Sequence, residues 1–185
     1  MRQVSNVGRW DWYYRHRDTG KPFGYSPSVA FRVGADWLAD CATVADWGCG
    51  GGLLREHVPS TRYVGVDGSH TSAVDVVADL EVYRMPSDGV FMRNVLEHNE
   101  QWEQVLTNAL AAFRQRMVLV LFTPWHDGPD DAHLIQFEKR YEVPTYSFRR
   151  DAIESRLDAA GVSWKLATIE AESVFGVEHI FLIEK

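Results

Sequence analysis

The stretch Asp46-Trp47-Gly48-Cys49-Gly50-Gly51-Gly52 holds the residues best suited to chemistry, because it joins an apolar run over residues 43–47 to a short segment of helical character over residues 53–58. A strand that turns into a helix through glycines leaves the first N–H groups of the helix unpaired and open to a ligand, which describes a nucleotide pocket. The spacing D-x-G-x-G-x-G narrows the choice. A dinucleotide fingerprint G-x-G-x-x-G beginning at Gly48 needs a third glycine where Leu53 stands. Further along, Tyr63-Val64-Gly65-Val66 reads as a buried strand ending in Asp67. A carboxylate at the tip of the second strand of such a sheet accepts both hydroxyls of a ribose, the bland alternative being a turn cap at Asp67-Gly68. Candidates for moving a proton are His98, either as a general base or as a structural histidine at a helix start, and His126 or Asp127 in the loop of residues 126–133. Histidines and carboxylates share that loop, yet their spacing matches no metal-ligand set and Asp-Gly-Pro-Asp is ordinary turn chemistry, so no metal is expected.

Positioning these groups requires one core. The 185 residues, 45% of them hydrophobic, make one ordinary domain. We expect an N-terminal lid or arm over residues 1–25 and a single domain over residues 26–185. The first residues lack the apolar stretch of a signal peptide, and the longest apolar run, MVLVLF, is too short to span a bilayer, so the expected location is cytoplasmic without a membrane partner. Cys41 and Cys49 form no disulfide framework and lack the neighbours of a zinc site; both read as reduced thiols. A net charge of −7 disfavours loose binding to nucleic acid. The charge is uneven, since Arg2, Arg9, Arg15, Arg17, Lys21 and Arg32 face only Asp11 and Asp18 in the first 34 residues, either as a basic arm or as a solvated segment.

In chain order, the arm is rich in aromatics and arginine and shows no helical or strand period. Ser26-Pro27 has the form of a helix start, with Ala30, Val33, Trp37 and Leu38 following on one face. The connection from Gly68 to Val74 is too short for a crossover helix before the apolar run Asp75-Val76-Val77-Ala78. Asn99 can cap a helix carrying Trp102, Val105, Leu106, Ala109 and Phe113. Residues 117–123 form a buried strand, and Ser147 caps a helix with Ile153, Leu157 and Ala160 that ends at Gly161. Residues 164–169 and 177–184 pair antiparallel across a short connection. The expected fold is α/β, a Rossmann-like seven-stranded, mostly parallel sheet with its last strand antiparallel and helices on both faces.

Four phrases in this order resemble the class I S-adenosylmethionine (SAM) dependent methyltransferases over roughly residues 44–185. The glycine stretch resembles their motif I, YVGV ending in Asp67 stands as the second strand with its ribose-binding acid, VDVVADLEVYRMP resembles a shortened crossover phrase with D-x-V-A-D-L, and SDGVFMRNVLEH resembles the fourth-strand phrase, with Ser87 where phenylalanine is usual. The resemblance implies SAM as cofactor. Asp46 would reach its amino-acid moiety, Gly48, Cys49 and Gly50 would let the backbone approach, and Asp67 with Gly68 would meet the ribose. Asp79 and the Leu80 backbone would take the adenine edge, and Arg93 and Asn94 would border the methionine end. The activity implied is methyl transfer to an O, N or C nucleophile, with a small-molecule acceptor favoured by the short acidic chain. The alternatives are a SAM-binding regulatory module without catalysis and a dinucleotide-dependent oxidoreductase, which Leu53 argues against.

Overall fold

The computed structural model describes residues 6–16 and 28–185. Five parallel strands form most of the main sheet: β1 (Val44–Trp47), β2 (Tyr63–Asp67), β3 (Val76–Val77), β4 (Ser87–Arg93) and β5 (Phe113–Leu121). The order is completed by β8 (Ser163–Glu170) and β9 (Val177–Glu184) as β3-β2-β1-β4-β5-β9-β8, with β9 antiparallel to both of its neighbours. This is the expected seven-stranded sheet with its last strand inverted.

Side chains alternate across the strands and so divide the core in two. Trp47, Met92, Phe113 and Leu119 pack on one face with α3 (Trp102–Ala112) and α4 (Arg150–Ala159). Val44, Phe91, Val118 and Ile180 pack on the other with α2 (Val29–Trp37). Central strands buried on both faces explain why residues 117–121 read as an unbroken apolar run.

Several local expectations change. The Ser26-Pro27 start lies outside the described residues; the observed cap of α2 is Ser28, whose Oγ accepts from the Ala30 N–H at 3.0 Å. Residues 6–16 form a helix, α1 (Asn6–His16), although their aromatics gave no readable period. The segment after the glycines is a single 3-10 turn, Leu53–Glu56. As expected, no helix intervenes between Asp67 and β3.

Asn99 does not cap α3: Gln101 holds that position, while Asn99 closes the preceding 3-10 turn and its amide donates back to the Val95 carbonyl at 2.6 Å. Phe113 is the C-cap of α3 and at once opens β5. A second, two-stranded sheet, the hairpin of β6 (Ala132–Glu138) and β7 (Val143–Phe148), was not expected. Ser147 therefore lies in a strand, with its hydroxyl donating to the Pro124 carbonyl, and Arg149 precedes α4.

Candidate functional site

A cleft opens where the carboxyl ends of β1, β2 and β4 meet, the position at which open α/β sheets bind ligands. Its floor is the glycine turn. The N–H groups of Gly48 and Cys49 both donate to the Val66 carbonyl, at 2.7 and 3.1 Å, fastening the turn to β2. Gly48 and Gly50 have φ of 74° and 50°, in the left-handed region that favours glycine. Space is tight as well, because a Cβ on Gly48 would come within 2.4 Å of Val95 and one on Gly50 within 2.5 Å of the Tyr14 hydroxyl.

The carboxylates around this floor have different surroundings. Asp67 accepts from the Gly50 N–H at 3.0 Å and from the Ser69 N–H at 2.8 Å, one on each oxygen. Those bonds fix its plane while each oxygen retains a second lone pair. Asp46 is buried and accepts from the Tyr63 hydroxyl at 2.8 Å. Burial pushes its carboxyl up to about 7, against the opposing pull of the tyrosine hydrogen bond. Asp79 accepts from the Glu81 N–H at 3.0 Å in a local turn, and Leu80 beside it is buried; both line the cleft. Cys49 is buried too, and burial pushes its thiol well above the usual range, which makes it a wall and not a nucleophile.

At the end of β4, the Arg93 guanidinium donates through Nε and Nη2 to one oxygen of Glu178, at 3.0 and 2.6 Å, and lies over the Phe31 ring. Glu178 is completely buried, and its other oxygen accepts from the Ser28 hydroxyl. The positive charge expected at Arg93 is thus balanced by a carboxylate from β9. Asn94 adopts φ 57°, a conformation asparagine tolerates better than most side chains, and its buried Oδ1 has no hydrogen-bond partner. Glu97 ties the following turn to the end of β5 by accepting from the Phe122 N–H at 2.6 Å; burial pushes its carboxyl up to about 8.

His98 lines the same cleft. Its Nδ1 is 2.8 Å from the Pro144 carbonyl, which can only accept, so the ring proton sits on Nδ1 and Nε2 keeps its lone pair. Burial lowers its pKa, holding the ring neutral at neutral pH. His126 and Asp127, the other candidates for moving a proton, do not line this cleft. Beyond β5 the chain is drawn alongside β7, where the His126 N–H donates to the Phe148 carbonyl at 3.1 Å. The two residues line a separate depression with Arg149, Arg150 and Glu154.

The roof of the cleft comes from α1, within the segment expected to be an arm or lid, although sequence reasoning assigned none of its side chains to the site. Asn6, Trp10 and Tyr14 of α1 all line it. The Asn6 amide donates to Glu81 at 2.7 Å and to Asn99 at 3.3 Å, and Trp10 meets the His98 ring edge-on at 5.7 Å between centroids. Glu178 was missed as well, although a carboxylate in the apolar run VEHIFLIE signals a buried partner.

The sheet order, the inverted last strand and the glycine turn together define the class I SAM-dependent methyltransferase fold. Among solved structures, the chain is similar to magnesium protoporphyrin IX methyltransferase from Synechocystis PCC 6803 with bound SAM, at 17% identity and TM-score 0.70 over 100% of this chain and 99% of that one. It is also similar to 1,6-didemethyltoxoflavin-N1-methyltransferase from Burkholderia thailandensis with bound 1,6-didemethyltoxoflavin and S-adenosylhomocysteine, at 18% identity and TM-score 0.66 over 96% and 86% of the two chains. At these identities the likeness is one of fold. No protein-family model matches the sequence, and no curated protein matches it.

Proposed function

We propose that the protein is a SAM-dependent methyltransferase acting on a small-molecule acceptor. The observation that carries this reading is the convergence of the bare glycine turn, Asp67 and Asp79 on one cleft at the carboxyl ends of β1, β2 and β4. Support also comes from the two similar folds, one with bound SAM and the other with S-adenosylhomocysteine.

The residues fit the cofactor. The positive-φ glycines Gly48 and Gly50 leave the turn without side chains, so its backbone is open to close approach, and the partnerless Asn94 Oδ1 is available to a donor on a ligand. Asp67 would hold the ribose, Asp79 and the Leu80 backbone the adenine edge, and Asp46 the amino-acid end. Arg93 would border that end as a neutralised wall. When bound, SAM would supply an electrophilic methyl group, carried on a sulfonium, to an acceptor O, N or C nucleophile.

The chain's own contribution is to orient, to exclude water and to take a proton. His98 offers a neutral Nε2 for the proton of the acceptor, while α1, which lines the cleft through Asn6, Trp10 and Tyr14, would serve as its lid. A dinucleotide reading is disfavoured because Leu53, at the position of the third fingerprint glycine, opens the 3-10 turn with its side chain against the cleft.

The test is turnover. Supplied with SAM and candidate acceptors, the protein should form S-adenosylhomocysteine, and His98→Asn should slow this about 100-fold or more while leaving S-adenosylhomocysteine affinity within about twofold. Binding without turnover of any acceptor would point instead to a regulatory module.

A further inference from the structure

A second cavity of about 310 Å³ adjoins the cleft, and Trp10, Arg93, Asn94 and His98 line both. Its other walls come from segments outside the glycine motif. The β6–β7 hairpin contributes Gln136, Glu138 and Thr145, the β8–β9 turn contributes Glu172 and Phe175, and Phe122 follows β5. We propose that this cavity is the acceptor site and that it takes a flat aromatic or heteroaromatic molecule, neutral or cationic, bearing a hydroxyl or amino group. The assignment rests on the methyltransferase reading above.

Size, wall chemistry and charge point the same way. The volume falls at the lower end of the range for small-molecule pockets, about 300–1,000 Å³. Trp10 and Tyr13 of α1 contribute aromatic surface, as do Phe122 and Phe175, whose centroids are 5.7 Å apart, so a flat π-surface gains ring contacts that an aliphatic molecule of equal size does not. Among the described lining residues Arg93 is the one Lys or Arg, and Glu178 balances it. With Arg93 already balanced by Glu178, no uncompensated Lys or Arg among the described lining residues is left to hold an anionic group, which disfavours an acidic acceptor.

The junction with the cofactor cleft fixes the reacting end. There the Asn94 Oδ1, buried without a partner, and the His98 Nε2 both call for a hydrogen-bond donor. A hydroxyl or amino group supplies one, and its proton is the one His98 would accept.

The experiment titrates the full chain, and the variants Gln136→Trp and Phe175→Ala, with 6-hydroxyquinoline, 1-naphthoate and cyclohexanol as probes, and with S-adenosylhomocysteine in parallel. Gln136 lies on the exposed hairpin, so a tryptophan there fills the cavity without touching the glycine turn. Hydroxyquinoline should bind the unaltered chain about tenfold or more tightly than the other two probes, weaken by about tenfold or more in Gln136→Trp, and by about fivefold in Phe175→Ala. S-adenosylhomocysteine should bind all three proteins alike. Equal or tighter binding of naphthoate or cyclohexanol, or hydroxyquinoline binding that ignores Gln136→Trp, overturns the proposal. If S-adenosylhomocysteine binds and hydroxyquinoline does not, the acceptor class falls alone. If hydroxyquinoline behaves as stated and S-adenosylhomocysteine fails to bind, the aromatic site stands and the methyltransferase reading falls.

Discussion

The floor of the cleft draws its residues from short contiguous phrases at the tips of β1, β2 and β4, whereas its roof and outer wall assemble from α1, the β6–β7 hairpin and the β8–β9 turn. On the floor, Asp46, Asp67 and Cys49 are buried and held by hydrogen bonds to Tyr63 of β2, to the Gly50 N–H and to the Ala73 carbonyl respectively. In the roof, α1 has no fully buried residue and is held by side-chain contacts such as Asn6 to Glu81 and Asp11 to His70. A floor fixed by sheet geometry suits a common cofactor. Walls made of separate surface segments can differ with the acceptor, and they can move at less cost.

The contrast can be broken most sharply at the floor. Gly50→Val places a branched side chain at a positive φ and against Tyr14, so binding of S-adenosylhomocysteine should disappear from calorimetry while the circular dichroism spectrum persists. Normal affinity in this variant would remove the glycine turn from the site. Asp67→Ala should weaken binding by about 2–3 kcal/mol, since it deletes a charged acceptor and releases the Gly50 and Ser69 N–H groups as well. Unchanged affinity would show that the Asp67 carboxylate only braces the turn. The smallest effect belongs to the roof: amide hydrogen exchange in residues 6–16 should slow when S-adenosylhomocysteine is added. Exchange that is already slow, and stays so, would make α1 part of the static core and end the lid reading.

The same division decided what the sequence could reveal. Glycines between an apolar strand and a turn, an aspartate closing YVGV and the D-x-V-A-D-L phrase each encode their geometry within a few residues, because strand ends and positive-φ turns are local events. The main sheet followed from apolar runs and connection lengths. The hairpin did not, because β6 is exposed along nearly its whole length and has no buried face to impose a clean period of two. The helix α1 was hidden for a related reason: its aromatics spread around its surface and meet Gly50, His98 and Tyr141 only in three dimensions. His126 and Asp127 looked like cleft residues because they follow a central strand, and the hydrogen bond from His126 to Phe148 carries them away from it.

The central claim is that the floor binds an adenosyl amino acid. Isothermal titration of the full chain with S-adenosylhomocysteine and, separately, with NADH tests it most directly. The account predicts saturable heat from S-adenosylhomocysteine at a single site per chain, absent in Gly50→Val, and no heat from NADH beyond dilution. Binding of NADH that Gly50→Val abolishes, or the absence of any S-adenosylhomocysteine binding by the unaltered chain, would contradict it.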